Sequence, residues 1–182
     1  KRQLPDMSGF QWWVFQPGML FNAMDAWWGG RGRRNAPHEG LDLCFYADGK
    51  GESQALGGGT KIPAIYEGRI VKIDRDFLGQ SIYVRHAFRD DSGDVLFSVY
   101  GHTIPAAGID IDVAVADGDV IALFAGTSSK NAGPPPHLHV SVVWAPPSLP
   151  VVDLTWATIS ARKEVKPVDP LAFLGLPHLL LP

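Results

Sequence analysis

The sequence predicts a mainly β fold: an antiparallel β-sheet or sandwich domain with a groove walled by loops and a short helical extension at its N-terminal end. Two observations carry this. Twenty glycines and fifteen prolines in 182 residues exceed the usual ~12% share of these turn formers, without any low-complexity tract. Short β-branched and aromatic runs then recur between turn residues, while helix-period stretches are nearly absent after residue 35. Length fits about one domain. A chain that is 46% hydrophobic and 19% charged is neither disordered nor fibrous.

Residues 1–34 differ from the rest and are read as an extension to a domain spanning 35–182. They hold four of the six tryptophans, Trp12, Trp13, Trp27 and Trp28, and the basic cluster Arg31, Arg33 and Arg34. Phe15, Met19, Leu20, Met24 and Trp27 fall at mixed helical spacings, which predicts a short helix around residues 18–28, ended by Gly29-Gly30. The aromatics are expected to cover a sheet face and the arginines to lie on a solvated turn. From residue 36 the pattern is strand and turn: Ile65 to Ile73, then Ser81 to Phe88, joined by a polar turn containing Gly79. Val95 to Tyr100 follows the hairpin signal Asp90-Asp91-Ser92-Gly93-Asp94. Val113 to Val115, Val120 to Phe124 and Val140 to Trp144 complete the set, with Asp117-Gly118-Asp119 as a further tight turn. Pro146 to Pro150 reads as a loop and Leu154 to Ser160 as another strand.

Charge and composition exclude several functions. Sixteen basic against nineteen acidic residues give a net charge of −3, so there is no basic footprint for nucleic acid. No apolar run reaches the ~18 residues of a membrane span. The lone Cys44 cannot form an intrachain disulfide. The chain opens on Lys1 and not on Met, so something is expected to have been removed or trimmed before it, whether a signal peptide, a larger N-terminal region or a cloning choice.

The histidines carry the chemistry. His38 sits in Pro37-His38-Glu39-Gly40-Leu41-Asp42, and His137-Leu138-His139 runs into Val140-Ser141-Val142-Val143. Residues two apart on a strand face the same side. A catalytic zinc takes three ligands from His, Asp or Glu and keeps a position open for water. His38, Asp42 and one of His137 or His139 would satisfy it, leaving the other and His102 free to orient water, take its proton or stabilise an oxyanion.

These segments resemble the lysostaphin-type (LytM-like) zinc endopeptidases of bacterial cell walls. His38-Glu39-Gly40-Leu41-Asp42 matches the family's His-x-Gly-x-Asp type element. Tyr100-Gly101-His102 matches its Tyr-x-His element, and Gly133 to Val140 its Gly-x-His-Leu-His-aromatic element. Gly59-Thr60-Lys61-Ile62-Pro63-Ala64 with Gly68-Arg69-Ile70-Val71, Gly118 to Ala122, and Val168-Asp169-Pro170-Leu171 match flanking elements in the right order. The resemblance covers roughly residues 30–175. It implies a metalloendopeptidase with Zn2+ held by His38, Asp42 and His139, and a catalytic pair, His102 and His137. It also implies hydrolysis of peptidoglycan peptides through a zinc-bound water, outside the cytoplasm. Three departures concern loops: a longer Asp42–Thr60 segment, three prolines before His137, and some 28 residues between His139 and Pro167. They bear on substrate preference. Some relatives of this kind act only as non-catalytic regulators of other wall hydrolases, but all five positions are present here. A biotinyl-type carrier is set aside because the hairpin tip Ala116-Asp117-Gly118-Asp119 has no lysine.

The remaining candidates read blandly. His86 is expected to be structural or on the surface, His178 solvated or packed, and Cys44 a buried strand residue. Glu39 would point away from His38 if the segment is extended, and Asn35 lies just before the first proposed ligand.

Overall fold

A computed structural model describes residues 7, 9–29, 32–126 and 135–181; Arg31, Gly30 and the Gly133-Pro134 part of the third motif lie outside these. Among the described residues, thirteen strands form two sheets. One is four-stranded, in the order β13 (His178–Leu180), β1 (Trp12–Phe15), β3 (Phe45–Ala47), β4 (Ser53–Ala55). The larger runs β12 (Lys166–Val168), β11 (Leu138–Ala145), β8 (Val95–Pro105), β7 (Gln80–Arg89), β6 (Gly68–Arg75), β9 (Ala114–Val115). There β10 (Val120–Phe124) also pairs with β8 and β5 (Lys61–Pro63), and β2 (Leu41–Leu43) pairs with β11. All pairings are antiparallel except β1 with β13. The expected mainly β, antiparallel fold is therefore present.

The near-continuous apolar run of β8 reflects burial on both faces. Ile82 and Val84 of β7, Tyr100 of β8 and Leu138 and Val140 of β11 pack with Trp13, Phe15 and Leu41 in one core. The alternate residues Tyr83, Val95, Phe97, Val99 and Val143 face the other way, under Leu154, Ile159 and Val165. Each fully buried aliphatic of this kind contributes roughly 1.5–3 kcal/mol.

Two expected elements differ. Residues 18–28 form no α-helix beyond a single 3-10 turn, Pro17–Met19. The backbone there is taken by another partner: Asn22 N–H donates to the His38 carbonyl at 2.8 Å, and His38 N–H to Ala23 at 3.1 Å. Gly18 permits the fold-back, since a Cβ would lie 2.6 Å from the Asp25 carbonyl. Leu154 to Ser160 is likewise not a strand. A 3-10 turn, Val151–Asp153, leads into α1 (Trp156–Ala161), which starts in a capping box between Thr155 and Thr158. Asp169 caps the short α2 (Pro170–Leu174).

His86 is structural. Its Nδ1 donates to the Glu67 carbonyl at 2.7 Å, and its Nε2 lies 2.8 Å from Ser98 Oγ, itself 3.2 Å from the Tyr100 hydroxyl. Burial pulls its pKa below the ordinary value, outweighing the carbonyl bond that raises it. The native ring therefore resists a proton that the unfolded chain accepts near pH 6.5. Its stabilising contribution is complete above about pH 6.5 and is lost as pH falls from there toward the lower native value. Thermal midpoints between pH 8 and 5.5 are expected to fall less steeply in His86→Gln than in the wild type; parallel curves would exclude this role.

Candidate metal centre

The start of β11 lies between β2 and β8. In that register His139 is paired with Asp42 on one side and with Gly101 on the other, next to His102. The sheet thus brings three separate motifs to one point. His38 stands just before β2, held by its backbone bonds to residues 22 and 23.

Three side-chain atoms converge there. His139 Nδ1 lies 2.9 Å from Asp42 Oδ1, His38 Nε2 lies 3.2 Å from the same oxygen, and the two nitrogens are 3.2 Å apart. All three residues are buried. A tetrahedral metal with bonds of 2.0–2.1 Å has ligand-to-ligand edges of about 3.4 Å, close to this triangle. The outer hydrogen bonds set the protons. His38 Nδ1 donates to the Leu20 carbonyl at 2.9 Å, leaving Nε2 as a bare lone pair. His139 Nε2 faces Ser141 Oγ at 2.9 Å and Glu39 Oε1 at 3.6 Å, and the carboxylate favours the proton on that nitrogen. Burial alone would raise the Asp42 carboxyl, but the His38, His137 and His139 rings gathered around it hold it well below the usual range. Two lone-pair nitrogens and a carboxylate oxygen pressed together call for a cation between them, and this donor set fits zinc.

The outer partners come from segments whose role was not legible in the sequence. Trp27 Nε1 donates to Asp42 Oδ2 at 2.7 Å, and Arg34 Nη2 reaches the same oxygen at 3.4 Å and the Gly18 carbonyl at 3.0 Å. Arg34 is thus no solvated turn residue, although Arg33 is exposed. Trp27 packs edge-on to His137 and Trp28 stacks beside it. Gly40 is required by closeness, because a Cβ there would sit 2.5 Å from the Val140 carbonyl and 2.6 Å from His139 Nε2. Glu39 does not point away as expected, since residues 36–39 are not a strand. Asn35 is exposed. Burial, then the Asp42 charge, pushes the Cys44 thiol up to about 12, and its Sγ–H donates to the Pro136 carbonyl at 3.3 Å.

The remaining two histidines face the same centre. His137 donates Nδ1–H to the Pro135 carbonyl at 2.7 Å and brings Nε2 to 3.5 Å from Asp42 Oδ1. His102 packs edge-to-face on His137, with ring centroids 4.6 Å apart. Burial pulls both imidazoles below their ordinary pKa, so both are neutral at pH 7. His102 has φ +63, a left-handed conformation that costs a non-glycine residue energy and clusters at functional sites. Trp156 stacks on His139 at 4.5 Å and tilts over His102 at 4.9 Å. Gly101 makes room for it, since a Cβ would meet the indole at 2.4 Å. Lys72 anchors the turn before Trp156 by donating to the Leu154 carbonyl at 2.8 Å and to Val152 at 3.2 Å. Trp156 and Phe77 line a cleft of about 270 Å³ together with Asp74, Arg75, Asp76 and Tyr83.

The model of Peptidase family M23 matches residues 47–149, a span that includes His102, His137 and His139 and begins after Asp42. Among solved structures, lysostaphin in solution shares 19% identity over 83% of this chain and 49% of its own, with a TM-score of 0.49. The chain thus spans about half the length of lysostaphin. The catalytic domain of the prophage-encoded M23 protein EnpA from Enterococcus faecalis, as a point mutant, shares 25% identity over 63% of this chain and 75% of its own, with a TM-score of 0.41. No curated protein matches. With more than half of its length matched by the family model, the chain belongs to Peptidase family M23.

Proposed function

We propose that this chain is a zinc-dependent endopeptidase that cuts peptide bonds in bacterial peptidoglycan, outside the cytoplasm. The observation that carries the reading is the triangle of His38 Nε2, Asp42 Oδ1 and His139 Nδ1, none of whose edges exceeds 3.2 Å, with two further neutral imidazoles beside it. Zinc bound by these three residues would supply a Lewis acid that acidifies water to a pKa of about 7 and polarises a carbonyl. The rest belongs to the protein. The Leu20 carbonyl and the Glu39 carboxylate set which histidine nitrogens are free to ligate, and Trp27 and Arg34 fix the Asp42 carboxylate. One of His102 and His137 accepts a proton from the attacking water at its free Nε2. The resulting N–H then steadies the oxyanion or returns the proton to the leaving amine. The cleft beside Phe77 and Trp156 seats the peptide. In this reading residues 35–182 form the metallopeptidase unit, and 1–34 are an extension that supplies Leu20, Trp27 and Arg34 to it.

The test measures zinc content and hydrolysis of purified peptidoglycan together, before and after a chelator. One equivalent of zinc, new amino termini, loss of both on chelation and recovery on adding zinc back are expected. Hydrolysis indifferent to the chelator would exclude the mechanism. A zinc-loaded protein that cleaves nothing but activates another wall hydrolase would make it a non-catalytic regulator.

A further inference from the structure

The turn between β6 and β7 holds a carboxylate that the mechanism above leaves without a task. Asp76 Oδ1 accepts N–H from Leu78 at 2.9 Å and from Gly79 at 2.7 Å, and Nδ1 of His102 lies 3.0 Å away. Its Oδ2 accepts the Ser81 hydroxyl at 2.8 Å and the backbone N–H of His102 at 2.9 Å. Burial would raise this carboxyl, but the bonds from His102 and Ser81 hold it far below the usual range. An ionised carboxylate has no proton to give, so His102 Nδ1 must carry one and Nε2 presents its lone pair. The other oxygen grips the same residue's N–H, where φ is +63. Gly79 lets the turn close down on this strand, because a Cβ there would lie 2.6 Å from the Thr103 carbonyl.

We propose that Asp76 is a positioning residue for the reaction: it sets both the tautomer and the backbone twist that aim the His102 Nε2 lone pair at the reacting centre. This rests on the reading that His102 acts there. A purely structural Asp76 would tie the turn together through Leu78, Gly79 and Ser81 without dictating where the His102 proton sits.

The experiment is a two-dimensional 1H–15N spectrum of the histidine rings in zinc-loaded protein, read beside steady-state kinetics. In the wild type His102 is expected to be protonated on Nδ1 and bare on Nε2. In Asp76→Asn one accepting oxygen becomes an NH2 donor, so either the Nδ1–H or the backbone N–H of His102 loses its acceptor, and the share of the ring protonated on Nδ1 is expected to fall. One zinc should remain, with kcat falling about 10–100-fold and KM changing by no more than about twofold. A wild-type His102 protonated on Nε2 overturns the proposal even if the variant fails to fold. An inactive His102→Ala together with Asp76→Asn at wild-type kcat removes the role of Asp76 alone. A fully active His102→Ala removes the reading on which it rests.

Discussion

His139→Ala is expected to lose zinc and peptidoglycan hydrolysis together, the largest effect of any single substitution considered. His139 supplies one corner of the donor triangle, at 2.9 Å from Asp42 Oδ1 and 3.2 Å from His38 Nε2. Its removal leaves two ligands, too few for a closed zinc site. The loss should exceed the roughly 10–100-fold that removal of an outer partner costs. The fold should persist, because β11 is held to β2 and β8 through backbone pairing. A packing gap opens, though, between Gly40 and the Trp156 ring that stacks on His139. Metal analysis and hydrolysis measured on the same preparation decide it. One equivalent of zinc retained in the variant would remove His139 from the proposed ligand set.

His102→Ala and His137→Ala should do the opposite, keeping one zinc while turnover falls about 10²–10⁴-fold. For His102 the geometry is plain, since its Nδ1 is committed to Asp76 and its ring reaches the centre through His137. His137 is the sharper case. The spacing of the sequence leaves either His137 or His139 as the third ligand. The structure sets His137 Nε2 at 3.5 Å from Asp42 Oδ1, outside the tighter group. Zinc lost stoichiometrically from His137→Ala would make it a ligand and redraw the roles. Retained zinc with kcat lost would support it as a proton carrier.

Features that depend on local pattern were legible before the fold was known, and few that depend on contact across it were. Most strands from residue 65 to 145 were legible because alternation and turn residues are local, and their bounds moved by a few positions, whereas the short Lys61–Pro63 strand was not expected. His38, Asp42, His102, His137 and His139 were legible through motif spacing, and the structure brings them together. The helix expected around residues 18–28 was not realised, because His38 claims the backbone groups of Asn22 and Ala23. The helix at Trp156–Ala161 was missed because its β-branched residues read as strand, while the Thr155–Thr158 capping box determines the local form. Trp27, Arg34 and Asp76 carried no signal of their role. Their partners lie 15, 8 and 26 residues away, and nothing in a single sequence marks such pairs. Gly40 and Gly101 stood inside recognisable motifs, but why they must be glycine is visible only from the ring that each one faces.

The His38–His139 pairing has a bearing beyond chemistry. The two residues are 101 positions apart, and an ion shared between them closes that whole stretch into a covalent-like loop. Closing a long loop removes entropy from the unfolded chain, as a disulfide of the same span would in the chain-entropy account. With Cys44 as its lone cysteine, the chain has no internal disulfide to play that part. The ion would therefore serve as its cross-link as well as its Lewis acid. By linkage, every increment of affinity at the centre is an increment of resistance to unfolding. If the proposed function holds, a protein working outside the cell, away from chaperones, would gain durability from the same three side chains that would hold its metal.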